Sequence, residues 1–154
     1  MMPANDIYKS EYLGLLFRLI LSYIFISASI GKILSPEDFS VAIQNYKILP
    51  EILTNIPAII LPWVELYCGV FILLGIFPRA SAASLIVLTT IFIIAISSAM
   101  LRGLDISCGC FDPSDETDKI GISKIIEDII YLALALYCYF FPPVKLTVVR
   151  LFKK

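Results

Sequence analysis

The chain has 154 residues, 59% of them hydrophobic and only 16% charged, with a mean hydropathy of +0.90 and a formal net charge of −1. A soluble domain carries roughly 25% charged residues, so the charge here is too scarce to cover a water-facing surface. A net charge near zero supplies no basic field for nucleic acid. The absence of histidine leaves Cys, Asp, Glu, Lys and Tyr for any chemistry.

Crossing the hydrocarbon core of a bilayer takes roughly 20 predominantly apolar residues. The first candidate covers residues 12–33 and is split by Arg18. Lys9 before it and Ser27-Ala28-Ser29 within it imitate a signal peptide, but the run is longer than an h-region, so it reads as a membrane span. A loop follows that begins Ser35-Pro36-Glu37-Asp38, a helix start with a Ser cap, Pro at the first position and acids in the first turn. Phe39, Ile43 and Tyr46 recur on one face, predicting a short amphipathic helix across the outer mouth, ended by Leu49-Pro50. The second span is expected over 58–77, interrupted by Glu65, and the third over 80–101, without a charge. Pro78 and Arg79 leave room only for a tight antiparallel connection. After a loop holding Cys108-Gly109-Cys110-Phe111 and the acidic stretch Asp112 to Asp118, a fourth span is expected over 124–141, with Glu127 and Asp128 near its start and Pro142-Pro143 at its end. Backbone amides in lipid must be satisfied within the segment, so the runs are helices. The expected fold is an all-α membrane protein, a single domain over 1–154 built as a four-transmembrane-helix bundle with one short loop helix.

Lys and Arg in the loops set orientation. With the N-terminus inside, Lys9, Arg79, Lys145, Arg150, Lys153 and Lys154 face the cytoplasm, against Lys32, Lys47, Arg102, Lys119 and Lys124 outside. The expectation is a bacterial inner-membrane protein with both termini cytoplasmic and the Cys108-Gly109-Cys110 loop periplasmic.

Three features could carry chemistry. Charged residues inside a span face the bundle and pair, so Arg18 is expected to meet Glu65, on an inner face that also holds Lys32. That arrangement is either a structural ion pair that selects helix partners, or a polar site for a quinone head group or a proton path. Cys108 and Cys110 can close a disulfide only through a small strained ring, which raises its reduction potential and makes it exchangeable. Gly109 permits the backbone angles of closure. Such a short loop makes a poor staple, because stabilisation grows with loop length. The pair is therefore a candidate redox couple, with a turn carrying free thiols or a soft-metal site as alternatives. Cys68 and Cys138, both within spans, are either small buried hydrophobes or a second thiol pair able to relay dithiol equivalents across the bilayer. Arg102, Lys119 and Lys124 favour a thiolate in the loop, and Asp105 and Asp112 oppose it.

Several pieces of the chain, in order, resemble the MauE methylamine-utilisation membrane proteins within the DoxX-like group. They are Phe17-Arg18-Leu19 and Gly31-Lys32, then Asn45-Tyr46-Lys47-Ile48-Leu49-Pro50. Next come Leu61-Pro62-Trp63-Val64-Glu65, Leu73-Leu74-Gly75, Arg79, and Arg102-Gly103 with Cys108-Gly109-Cys110-Phe111. The resemblance covers about residues 12 to 141. It implies a four-span fold, a catalytic role for Cys108 and Cys110, and work alongside periplasmic thioredoxin-like proteins that mature disulfide-rich partners. The plan is also similar to quinone-linked disulfide generators of the DsbB and vitamin K epoxide reductase type, whose C-x-x-C pair this chain lacks. The leading expectation is a membrane thiol–disulfide oxidoreductase, or the membrane partner of one, exchanging Cys108–Cys110 with a thioredoxin-like protein. A soft-metal binder or transporter and a structural subunit docking a partner oxidoreductase are the rival classes.

Overall fold

The computed structural model describes residues 4–110, 113 and 119–141. The acidic stretch of the second long loop apart from Pro113, Pro142-Pro143 and the basic tail lie outside the described residues. Five helices follow in order: α1 (Ala4–Leu34), α2 (Pro36–Asn45), α3 (Glu51–Leu74), α4 (Pro78–Leu101) and α5 (Ile122–Phe140). Among the described residues the only extended pairing is an isolated antiparallel bridge between Ser107 and Lys119. Three helical segments, Leu13–Leu34 of α1 and the whole of α3 and α4, are long and apolar enough to cross a bilayer.

Helix boundaries depart from the apolar runs for local reasons. The helix α3 begins at Glu51 rather than near residue 58, because its polar first turns have a partner. Ser40 of α2 donates to Asn55 Oδ1 at 2.7 Å and lies 3.4 Å from Thr54 Oγ1, and Gln44 Nε2 donates to Thr54 at 3.2 Å. The α3–α4 turn also falls earlier than expected, on Gly75, Ile76 and Phe77. Gly75 adopts φ 70° and closes the helix end: its N–H meets the Ile72 carbonyl, and the Ile76 N–H meets that of Phe71. This paired closure needs a left-handed residue, which glycine supplies. Pro78 then opens α4, where its missing N–H costs no helical hydrogen bond.

Burial is inverted relative to a water-soluble protein. Tyr23, Ile52, Ile59, Val87, Ile94 and Phe140 are exposed, whereas Arg18, Ser22, Lys32, Thr54, Glu65 and Thr89 are buried. One core runs through the middle of the bundle around Leu21, Phe25, Cys68, Ile72, Leu85, Ala135 and Cys138. A second, at the loop end, joins Tyr46, Ile96, Ala99 and Cys108. The helix α1 packs mainly on α3, and α4 on α5.

The α1–α3 approach turns on Gly69. A Cβ there would lie 2.9 Å from Ile26 Cγ1, closer than real Cβ atoms come, and 3.4 Å from the Ile26 backbone nitrogen. Gly69→Leu is expected to wedge the two helices apart and cost about 1–3 kcal/mol, the range for overpacking. A lowered unfolding midpoint in detergent would register it, and an unchanged midpoint would contradict the close packing.

Candidate functional site

The loop after α4 is anchored before it reaches the cysteines. Arg102 Nε donates to the Ser98 carbonyl at 3.1 Å, while its terminal nitrogens reach across to the carbonyls of Tyr46 and Lys47. One guanidinium thus ties the end of α4 to the end of α2, using the planar donor fork that lysine lacks. Further on, the Ser107–Lys119 bridge and the bond from the Ile120 N–H to the Ile106 carbonyl (3.0 Å) pinch the loop closed. Lys119 also pairs with Asp105 at 2.6 Å, but both are well exposed, so the pair adds at most about 1 kcal/mol.

At the tip Cys108 and Cys110 are joined by a disulfide, with Cα atoms 5.2 Å apart. Gly109 between them has φ +63°, a conformation L side chains rarely adopt. A Cβ on it would also stand 2.8 Å from Ala42 Cβ of α2. Glycine is thus required twice, by backbone angle and by contact. The Tyr46 hydroxyl donates to the Cys108 carbonyl at 3.0 Å and fixes the loop on α2. Cys108 is buried and Cys110 half-buried, so the two sulfurs differ in access.

Beneath the disulfide lies an ion pair. Lys32 Nζ donates to both carboxylate oxygens of Glu65, at 3.0 and 2.8 Å, and both side chains are almost fully buried. The ammonium also sits 5.3 Å from the Phe39 ring centroid and 5.0 Å from that of Phe92, whose π faces attract a cation. The expected Arg18–Glu65 pairing is corrected: Glu65 belongs to Lys32, and Arg18 donates to the Leu73 carbonyl at 2.7 Å. The cause is register. Because α1 and α3 run antiparallel with Gly69 against Ile26 and Ser22, Arg18 lies level with Leu73. Glu65 is eight residues, or about 12 Å of helix rise, further along.

Cys110 lines a cavity of about 30 Å³ together with Lys32, Glu65, Thr89, Lys124, Glu127 and Asp128. That volume holds one or two water molecules and not a quinone ring. The expected quinone site of Arg18, Glu65 and Lys32 is also divided between two levels of the bundle, so these residues do not fit a quinone head group. On the other side Cys108 borders an apolar cavity of about 290 Å³, lined by Phe39, Tyr46, Leu49, Leu61 and Phe92 among others. The disulfide therefore separates a small polar chamber from a larger apolar one.

Asp128 and Thr89 were not among the sequence-derived site residues. Both are buried in the polar chamber, and Asp128 Oδ2 and Thr89 Oγ1 have no hydrogen-bond partner among the described residues. The signal was available for Asp128: an acid inside an apolar run, the rule that singled out Glu65. Cys68 and Cys138 are free thiols within the mid-bundle core, flanked by Leu21, Phe25 and Ile72. Among the described residues no cluster of three or more Cys, Asp or Glu is placed to hold a metal ion.

The sequence matches the family model described as methylamine utilisation protein MauE over residues 10–141. A MauE protein of Methylophilus methylotrophus is 29% identical over 135 residues, covering 87% of this chain and 69% of the relative. That of Methylorubrum extorquens is 35% identical over 95 residues, covering 61% of this chain and 51% of the relative. Protein TlpB of Flavobacterium psychrophilum is 30% identical over 146 residues, covering 86% of this chain but only 38% of that longer protein. The chain thus spans between about half and two-thirds of the length of the MauE relatives it matches. No solved structure matches. The family model covers α1 from residue 10 and the whole of α2 to α5, and the chain belongs to the MauE family.

Proposed function

We propose that this protein is the membrane component of a thiol–disulfide exchange pathway, in which the Cys108–Cys110 disulfide trades with a thioredoxin-like partner at the outer face of the membrane. The observation that carries the reading is the asymmetric disulfide itself: two cysteines flanking one glycine, seated on α2, with Cys110 half-exposed and Cys108 sealed. Access decides which sulfur is attacked in exchange. A partner thiolate attacks Cys110 Sγ, the Cys108–Cys110 bond breaks, and its electron pair passes to Cys108 Sγ. The partner's second thiolate then attacks its own sulfur in the mixed disulfide, and Cys110 Sγ leaves with the electron pair. The partner ends oxidised and the loop pair reduced, with two protons transferred. The reverse sequence oxidises the loop pair.

In this reading α5 is the fourth span. Its 19 residues rise about 28 Å, near the thickness of the hydrocarbon core. Ile126, Ile129, Ile130 and Phe140 point outward, while Lys124 pairs with Glu127 at 3.1 Å and Asp128 is buried. Both termini then lie in the cytoplasm and the disulfide loop in the periplasm, at the inner membrane. Six Lys and Arg on the terminal segments and the α3–α4 turn, against five on the opposite side, favour that orientation. Most of Protein TlpB lies outside the matched region, which is consistent with a membrane unit that works beside other domains.

The test is a redox titration of the purified full chain in graded thiol–disulfide buffers, with mass-tag alkylation to locate the reacting cysteines. A reversible two-electron transition confined to Cys108 and Cys110 is expected, together with exchange that vanishes in Cys108→Ser/Cys110→Ser. Exchange that persists in that variant, or a pair that never re-forms its disulfide, overturns the reading.

A further inference from the structure

The polar chamber holds more charge than a structural ion pair requires. Besides Cys110, six ionisable groups face it: Lys32 from α1, Glu65 from α3, and Lys124, Glu127, Asp128 and the Tyr131 phenol from α5. Thr89 from α4 and Cys110 from the loop complete the polar wall. Lys32 is engaged by Glu65 and Lys124 by Glu127. Asp128 is the remaining acid, 9% exposed, with Oδ2 unpartnered among the described residues. Thr89 Oγ1, 2% exposed, is a second unpartnered polar atom of the same chamber. Buried polar groups are normally satisfied by protein or by ordered water. The chamber has room for one or two waters and polar groups enough to hold them.

We propose that Asp128 is the proton relay for Cys110, exchanging a proton with its sulfur through water held in this chamber, a role that rests on the exchange reading above. Thiolates rather than thiols take part in exchange, so each sulfur must lose or gain a proton in every turnover. When the partner's second thiolate breaks the mixed disulfide, the electron pair arrives on Cys110 Sγ at the edge of this small chamber, which has room for only one or two waters. A bare thiolate there is poorly solvated. The Asp128 carboxyl passes its proton through water to that sulfur and becomes a carboxylate beside Lys32 and Lys124. The proton released by the partner's thiol returns to Asp128 by way of the loop. In the opposite direction the carboxylate removes the Cys110 proton before Cys110 attacks. Lys32 and Glu65 hold the chamber's shape and field, and Thr89 orients the water.

Site-resolved alkylation of Cys110 as a function of pH tests the relay on the reduced full chain in nanodiscs, comparing wild type, Asp128→Asn and Asp128→Glu. Wild type is expected to show a two-step pH profile, because ionisation of Asp128 changes the ionisation of the thiol. Asp128→Asn is expected to collapse it to one step and slow exchange with a model dithiol about a hundredfold, the lower end of the range for lost acid–base help. Asp128→Glu restores both steps. Identical profiles in wild type and Asp128→Asn, while exchange still runs, overturn the relay and leave the exchange reading standing. Exchange absent from wild type overturns the exchange reading itself. If Asp128→Asn fails to fold, infrared difference spectra of wild type decide: a protonated-carboxyl band that shifts between oxidised and reduced protein is expected, and its absence overturns the relay.

Discussion

Replacing Lys32 by methionine is expected to destabilise the bundle by about 3–5 kcal/mol, the cost of stranding one member of a buried ion pair. Glu65 would keep two carboxylate oxygens in an interior where its partner now supplies both contacts, at 3.0 and 2.8 Å. Glu65→Leu should cost a similar amount for the opposite reason, an ammonium that loses both carboxylate contacts and keeps the faces of Phe39 and Phe92 and the Asp128 carboxyl across the chamber. The double variant Lys32→Met/Glu65→Leu is the informative one. Matched apolar replacements of a buried pair are often neutral or stabilising, so it should recover most of the loss. Unfolding midpoints of the four proteins in one detergent form a double-mutant cycle, and a double variant as unstable as the sum of the singles would contradict the pairing. Arg18→Met should show no energetic coupling to Glu65→Leu, because Arg18 donates to the Leu73 carbonyl, eight residues along α3 from Glu65.

Gly109→Ala is the second large effect expected. The left-handed φ of +63° alone costs a non-glycine residue roughly 1–2 kcal/mol. The new methyl would also collide with Ala42, whose Cβ lies 2.8 Å from its position. The loop tip has to lift from α2, weakening the bond from the Tyr46 hydroxyl to the Cys108 carbonyl and exposing Cys108. Alkylation of the reduced protein should then reach Cys108 about as readily as Cys110, whereas wild type should favour Cys110. Adding Ala42→Gly removes the collision but not the backbone penalty, so it should restore part of the selectivity. If Gly109→Ala retains full selectivity, α2 is not what holds the tip.

What was legible in the sequence follows from how local the signal is. Apolar runs long enough to span a bilayer marked α1, α3 and α4, because hydropathy is a property of each segment alone. Cys108-Gly109-Cys110 could be singled out as a candidate disulfide pair from its spacing, and glycine as its middle residue. The register between helices could not be read. It depends on Gly69 lying against Ile26, a contact between residues more than forty positions apart, and on helix starts set by the polar contacts of Ser40, Thr54 and Asn55. That one offset sent Glu65 to Lys32 rather than to Arg18. Asp128 was missed as a site residue because its position near the expected end of a span gave it an ordinary reason to be polar. Only the packing of α5 beneath the loop brought it to the chamber that Cys110 lines.

The outward display of Ile, Val, Leu and Phe around a packed interior that also holds charged and hydroxylated side chains sets which positions can drift. Lipid tails demand greasiness but little shape, so Ile59, Val87 and Ile94 should exchange freely among branched apolar residues with almost no effect on folding. The intolerant positions are the small and hydroxylated ones, such as Ser22, Gly69 and Ala82, where a single added methyl meets a neighbouring helix or a hydroxyl already holds a carbonyl. A substitution table for this chain would therefore read upside down beside that of a water-soluble enzyme, with its largest hydrophobic residues the most replaceable and its smallest the least.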